Sequence, residues 1–173
     1  VEWIRVDDIY PAPLFKQDLI QPDFVNQGAI GDCYFVSALV QLSTQPYLVP
    51  YLFDHKSELY LDTEPDSINL KCGAVVIYFH AFGRKTPVLI DTLLPCHIYS
   101  KEPIFSRPIN KTKSAWFCLV EKAYAKLYES YSEIVSGDLT QSIYSLYGYY
   151  SSMKSMASIK DSKKMSAYET SKY

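Results

Sequence analysis

No stretch of this 173-residue chain approaches the roughly 18 consecutive apolar residues that a membrane-crossing helix needs, so no membrane span is expected. Charge of one sign is scarce as well. Lys and Arg number 17 against 19 Asp and Glu, a net charge of −2. Without a broad basic field, nucleic acid and anionic lipid are poor candidates for the main partner. The four cysteines, Cys33, Cys72, Cys96 and Cys118, are widely spaced and form no CxxC pair. That excludes a small disulfide scaffold and fits reduced thiols in an intracellular, cytoplasmic protein. Internal repeats are missing too. The chain opens on Val1 rather than methionine, so its natural N-terminus is expected to lie elsewhere, and the lack of a leader says little.

What is present is a globular composition, 48% hydrophobic, in a length that suits about one domain with a real core. Its most informative segment is Gln27-Gly28-Ala29-Ile30-Gly31-Asp32-Cys33-Tyr34-Phe35, followed by an apolar run to Leu42. This predicts a loop turning sharply into a helix with a thiol in the first turn. A helix N-terminus favours negative charge and eases ionisation of a cysteine. Gly28 and Gly31 allow unusual backbone conformations and close approach. Asp32 suits the N-cap, its carboxylate accepting from the N–H of Tyr34 or Phe35. The Cys33 N–H then has no partner inside the helix. If it converges with the Gln27 side-chain amide, the two form an oxyanion hole. The Asp32 charge opposes a thiolate, so a cationic partner, normally histidine, is required. The plainer alternative is a small buried hydrophobe, the commonest fate of a lone cysteine. The adjoining Gln, Gly, Gly and Asp weigh against it, because a core cysteine does not require them.

Pattern places the other elements. Residues from Trp3 to Pro22 form a proline-interrupted opening segment. A helix is expected from Asp32 to about Ser43 and a short one around Tyr47 to Phe53. Strands are expected at Leu59 to Asp62, from Ile68 to Ala81 with a break near Gly73, and from Pro87 to Asp91, closed by Pro95. Ile98 to Lys113 reads as loop. A second long helix opens at Ser114, with Phe117, Val120, Tyr124 and Leu127 on its core face. Asp138 is the N-cap of a last helix through Leu146. From Ser151 onward the chain is Ser-, Lys- and Met-rich and reads as a flexible tail or linker. The expected division is a domain over residues 1–150 and a tail over 151–173.

The cysteine segment resembles the active-site segment of the calpain family of cysteine proteases. Three later stretches resemble that family in type and order: Val88 to Pro95, the helix Trp116 to Leu127 containing Glu121-Lys122-Ala123-Tyr124-Ala125-Lys126-Leu127, and Ser130 to Gly137. The resemblance runs from about Trp3 to Tyr150. It implies an α+β, papain-like half-domain, helices with a small antiparallel sheet, and an intracellular endopeptidase acting on protein substrates. By motif, the nucleophile falls on Cys33 and the oxyanion glutamine on Gln27. The family's histidine and Asn-Pro-Trp segment have no counterpart, since His55, His80 and His97 all precede the Glu121 helix. The chain therefore reads as the first half of a catalytic core, lacking its second half and inactive alone. The alternative is a truncated, non-catalytic protein-binding or regulatory module.

Other candidates rank lower. Cys72, Cys96, His97 and His80 lack the close ligand pairs of zinc sites. Glu121 and Lys122 read as a solvated helix face or a structural ion pair, and Asp91 as a strand end. The tyrosines from Tyr124 to Tyr150 read as packed helix faces. The family implies calcium, with one acidic ligand just ahead of the glutamine and another just before the tryptophan helix. Here Asp23 is displaced by one residue and Ser114 is not a carboxylate, so the calcium ligands are poorly matched and no cofactor is expected. Tyr34 also stands where the family has tryptophan.

Overall fold

A computed structural model describes residues 1–11, 17–53, 73–110 and 114–151. The expected strand at Leu59 to Asp62, His55, Cys72 and the tail lie outside the described residues.

Among the described residues, four α-helices and six strands follow one another in the order β1 (Glu2–Arg5), α1 (Val6–Ile9), β2 (Val25–Asn26), α2 (Cys33–Ser43), β3 (Ala74–Ala81), β4 (Arg84–Asp91), β5 (Leu93–Cys96), β6 (Arg107–Pro108), α3 (Trp116–Leu127) and α4 (Leu139–Tyr147). A 3₁₀ helix at Pro46–Leu52 occupies the place expected for the short helix. The strands form three separate two-stranded antiparallel ladders, β1 with β5, β2 with β6 and β3 with β4. The architecture is α+β. Among the described residues no helix is long and apolar enough to cross a membrane.

Hairpin β3–β4 is the largest ladder. Val75, Ile77, Phe79 and Ala81 alternate inward, the period of two of a half-buried strand. Its turn, Phe82-Gly83, has positive φ at both residues, 53° and 74°. This is the left-handed pair that suits the twist of a two-residue hairpin. β4 begins at Arg84, three residues earlier than expected, and includes Pro87 opposite Tyr78. A two-stranded ladder consists of edges, where a missing N–H is tolerated. Pro95 likewise stands inside β5, opposite Trp3, rather than closing the preceding strand.

Helix α3 is the centre of the core. The expected single apolar face is too narrow a description: Trp116, Phe117, Cys118, Leu119, Val120, Ala123, Tyr124 and Ala125 are all buried, whereas Leu127 is only partly so. A helix buried nearly all round has neighbours on most sides. They are α2 and the β3–β4 and β1–β5 ladders. The Phe35 and Tyr124 rings stack at 3.8 Å between centroids, fixing α2 against α3. Helix α4 packs on α2 and β3. Asp138 caps it as expected, its carboxylate accepting from the Thr140 and Gln141 N–H groups, and Gly148 ends it with φ 74°.

Candidate active site

Cys33 is the first residue of α2, and its free thiol is exposed. Helix α2 starts where the sequence predicts, but by another device. The side chain of Asp32 makes no cap hydrogen bond. Its backbone carbonyl instead accepts from Phe35 N–H at 2.8 Å and Val36 N–H at 3.0 Å, and its carboxyl group turns inward and is fully buried. The expected carboxylate cap on Tyr34 or Phe35 is therefore wrong. The Cys33 and Tyr34 N–H groups, by contrast, have no acceptor among the described residues, as the first turn of a helix dictates.

The loop before Cys33 is held on three sides. On the first, Gly28 lies against the 104–106 segment: a Cβ there would sit 2.1 Å from the Phe105 carbonyl carbon. Ala29 N–H donates to Ile104 O at 2.9 Å. On the second, the turn after α3 closes over Gly31. Ser136 N–H donates to Gly31 O at 3.0 Å, and the Tyr34 hydroxyl donates to Ile134 O at the same distance. Phe105 and Tyr131 stack at 3.7 Å and tie the two walls together. The third side is the floor, where Glu121 of α3 faces Asp32. Neither Gly28 nor Gly31 takes a left-handed backbone. Gly28 is required for close approach, whereas a Cβ on Gly31 would meet only Val135 Cγ1, at 3.5 Å.

Gln27 lies on this same loop. Its Nε2 donates to Ile30 O at 2.8 Å and, over a longer 3.4 Å, to Asp32 Oδ1. The amide braces the turn that presents Cys33, and only the second contact is weak enough to yield readily to another acceptor.

Glu121 is the residue that the sequence misled on. It is only 1% exposed, not on a solvated face, and both carboxyl oxygens accept from the Ser106 N–H, at 3.2 and 3.0 Å. Burial first, and the Asp32 charge next, push it well above the usual carboxylate range. A signal was available: Phe117, Val120, Glu121 and Tyr124 follow the i, i+3, i+4, i+7 spacing of one buried stripe. Its neighbour Lys122 does form the ion pair, Nζ to Asp91 Oδ1 at 2.7 Å, and also donates to Leu93 O at 2.6 Å. Burial works against the Asp91 carboxylate, but hydrogen bonds from Lys122 and the Leu93 N–H hold it below its ordinary value. It is a strand end, as expected.

The described histidines stand elsewhere. His80, on β3, borders the C-terminal Gly148 of α4 and lines an apolar hollow of about 240 Å³ with Leu42 and Leu146. Leu42 is nine residues along α2 from Cys33, about 13 Å at the helical rise. His97 sits in an exposed turn closed by the Lys101 N–H on its carbonyl. Among the described residues no histidine hydrogen-bonds Cys33. Cys96 and Cys118 are buried, their thiols donating to Leu94 O and Ser106 O. Burial raises both thiols, Cys118 strongly. Among the described residues no three of His, Cys, Asp and Glu come together to hold a metal. Asp23 is exposed on a single 3₁₀ turn and Ser114 is buried, so these positions do not fit a calcium donor set. Beside Tyr34 a hollow of about 180 Å³ opens, lined by Tyr124, Tyr128, Ile134 and Gly137.

Comparison with known proteins places this arrangement. The sequence model of a family described as "Calpain family cysteine protease" matches residues 1–172. The chain is 31% identical over 149 residues to Calpain-5 of Caenorhabditis elegans, covering 86% of this chain and 22% of that protein. It is 30% identical over 169 residues to Calpain-10 of Rattus norvegicus, covering 98% and 24%. To the calpain-type cysteine protease DEK1 of Arabidopsis thaliana it is 32% identical over 154 residues, 85% of this chain and 6% of that one. The chain thus spans a quarter or less of the length of these relatives.

Proposed function

The chain belongs to the calpain family of cysteine proteases, and from that premise we propose that residues 1–150 are the nucleophile-bearing, papain-like half of an endopeptidase core. The single observation that carries this is the seat of Cys33: an exposed thiol on the first residue of an apolar helix, on a loop gripped from three sides. Nothing about burying a small hydrophobe calls for that.

In the proposed mechanism the Cys33 sulfur attacks the carbonyl carbon of a peptide bond. The Cys33 N–H, which has no acceptor among the described residues, donates to the oxygen that becomes negative. Gln27 adds a second donor by releasing its long contact to Asp32. A histidine and an asparagine contributed by sequence outside these 173 residues take the thiol proton, return it to the leaving amine and hold the ring in place. Water then cleaves the acyl-enzyme. The tyrosine-lined hollow beside Tyr34 offers an extended polypeptide a seat for one side chain. Without its partner half the chain hydrolyses peptides poorly or not at all. Its substrates are proteins, and its location is the cytoplasm, consistent with three free cysteines among the described residues.

Alkylation by a thiol-directed epoxide tests this. Adding a polypeptide that bears the family's histidine and Asn-Pro-Trp segment should speed the reaction at the exposed Cys33 and leave the buried Cys96 and Cys118 slow. A Cys33 whose rate that polypeptide leaves unchanged would support the non-catalytic binding module instead.

A further inference from the structure

Two carboxyl groups meet beneath the cysteine loop. Asp32 is fully enclosed and Glu121 nearly so, and their side chains lie within hydrogen-bonding reach of each other. Asp32 Oδ1 accepts the Gln27 amide, but Oδ2 is buried with no donor. The Glu121 oxygens share the one N–H of Ser106. Among the described residues the groups in electrostatic reach are Cys118 on α3, Tyr34 on α2 and Tyr131 on the turn beyond α3, with Asp91 acting on Tyr131, and none of these is a cation. Two ionised carboxylates side by side, both removed from the surface, would repel each other and lose most of their solvation. One proton supplies the donor that Oδ2 lacks and removes one of the two charges.

We propose that Asp32 and Glu121 hold a single proton between them, and that this proton latches the loop bearing Cys33 onto α3, which makes Glu121 a positioning residue for the thiol. The shared proton stands on the burial and on the orphaned oxygen. The positioning role rests on Cys33 being the nucleophile. Burial raises both groups, and the neighbouring charge raises Glu121 further. The direction of the pH effect follows. Carboxyls in the unfolded chain release their protons near about pH 4, whereas the folded pair keeps one to higher pH. The stabilisation is therefore complete below that value and is lost as pH rises through the folded pair's own titration.

The variant Glu121→Gln keeps the latch without the proton, its carbonyl accepting from Ser106 and its NH₂ donating to Asp32. Glu121→Leu leaves both unpaired. Carboxyl-carbon NMR and urea unfolding of the full chain, from about pH 4 to about pH 8, should show one carboxyl of the pair still protonated at a pH where the carboxyls of the unfolded chain are ionised. That signal should be absent from Glu121→Gln, and its unfolding midpoint should fall less with rising pH than that of the parent chain. With the histidine-bearing polypeptide present, epoxide alkylation of Cys33 should stay within about twofold of the parent rate in Glu121→Gln and drop about tenfold or more in Glu121→Leu. If Glu121→Leu does not fold, the titrations of the other two chains still decide. Full ionisation of both carboxyls near about pH 4 would overturn the shared proton. A Glu121→Gln chain that loses Cys33 reactivity would overturn the positioning role. A parent Cys33 whose alkylation the histidine-bearing polypeptide does not speed would sink the nucleophile assignment and the positioning role with it, leaving the titration result to stand or fall separately.

Discussion

Gly28 and Gly31 look equivalent in the sequence, and the structure separates them. The first has the backbone of Phe105 where its side chain would be, and the second faces open space apart from one methyl of Val135. Gly28→Ala should therefore lower stability by about 1–3 kcal/mol, the usual cost of forcing atoms into a packed site. Gly31→Ala should cost far less, and urea unfolding of the two variants measures the difference. At this scale the sequence was partly legible. Cys33 at the helix start could be read from a short loop followed by an apolar run. The inward turn of Asp32 could not. A carboxylate before a helix has two uses, capping the first turn or meeting a group from another element, and only the position of Glu121 decides between them.

Among the elements, α2 carries the candidate site and α3 packs beneath it. The joint between them is the Phe35–Tyr124 stack, with Phe35 fully buried. Phe35→Ala should destabilise the chain by about 3–5 kcal/mol, the range for emptying an aromatic site in a core, again measured by urea unfolding. Helix boundaries were the most legible part of the fold, because α2, α3 and α4 combine helical periodicity with clear stops. β2 and β6 were not legible. Two-residue strands carry no periodicity, and Val25 and Asn26 pair with Pro108 and Arg107 only because the loop brings those segments together. The width of the buried surface on α3 was underestimated for a related reason. Spacing within one helix reveals a stripe, while the number of neighbours is set by the rest of the chain.

For the molecule as a whole, the proposed site, with its thiol on one half and its proton carrier on another, predicts complementation. The chain mixed with a polypeptide bearing the family's histidine and Asn-Pro-Trp segment should hydrolyse a fluorogenic peptide, and Cys33→Ser should abolish that signal. Robust hydrolysis by the chain alone would contradict the proposal. The grip on the cysteine loop also has a consequence for how the protein is made. Residue 33 is seated by Ile104, Phe105, Glu121, Ile134 and Ser136, all of which follow it by seventy positions or more. Contacts so distant along the chain form late. On a ribosome, Cys33 emerges early and waits for its seat until translation has passed residue 136. A nascent chain released before that point would carry a solvent-facing sulfhydryl on an unfastened loop, so the seat of Cys33 closes only after residue 136 has been added.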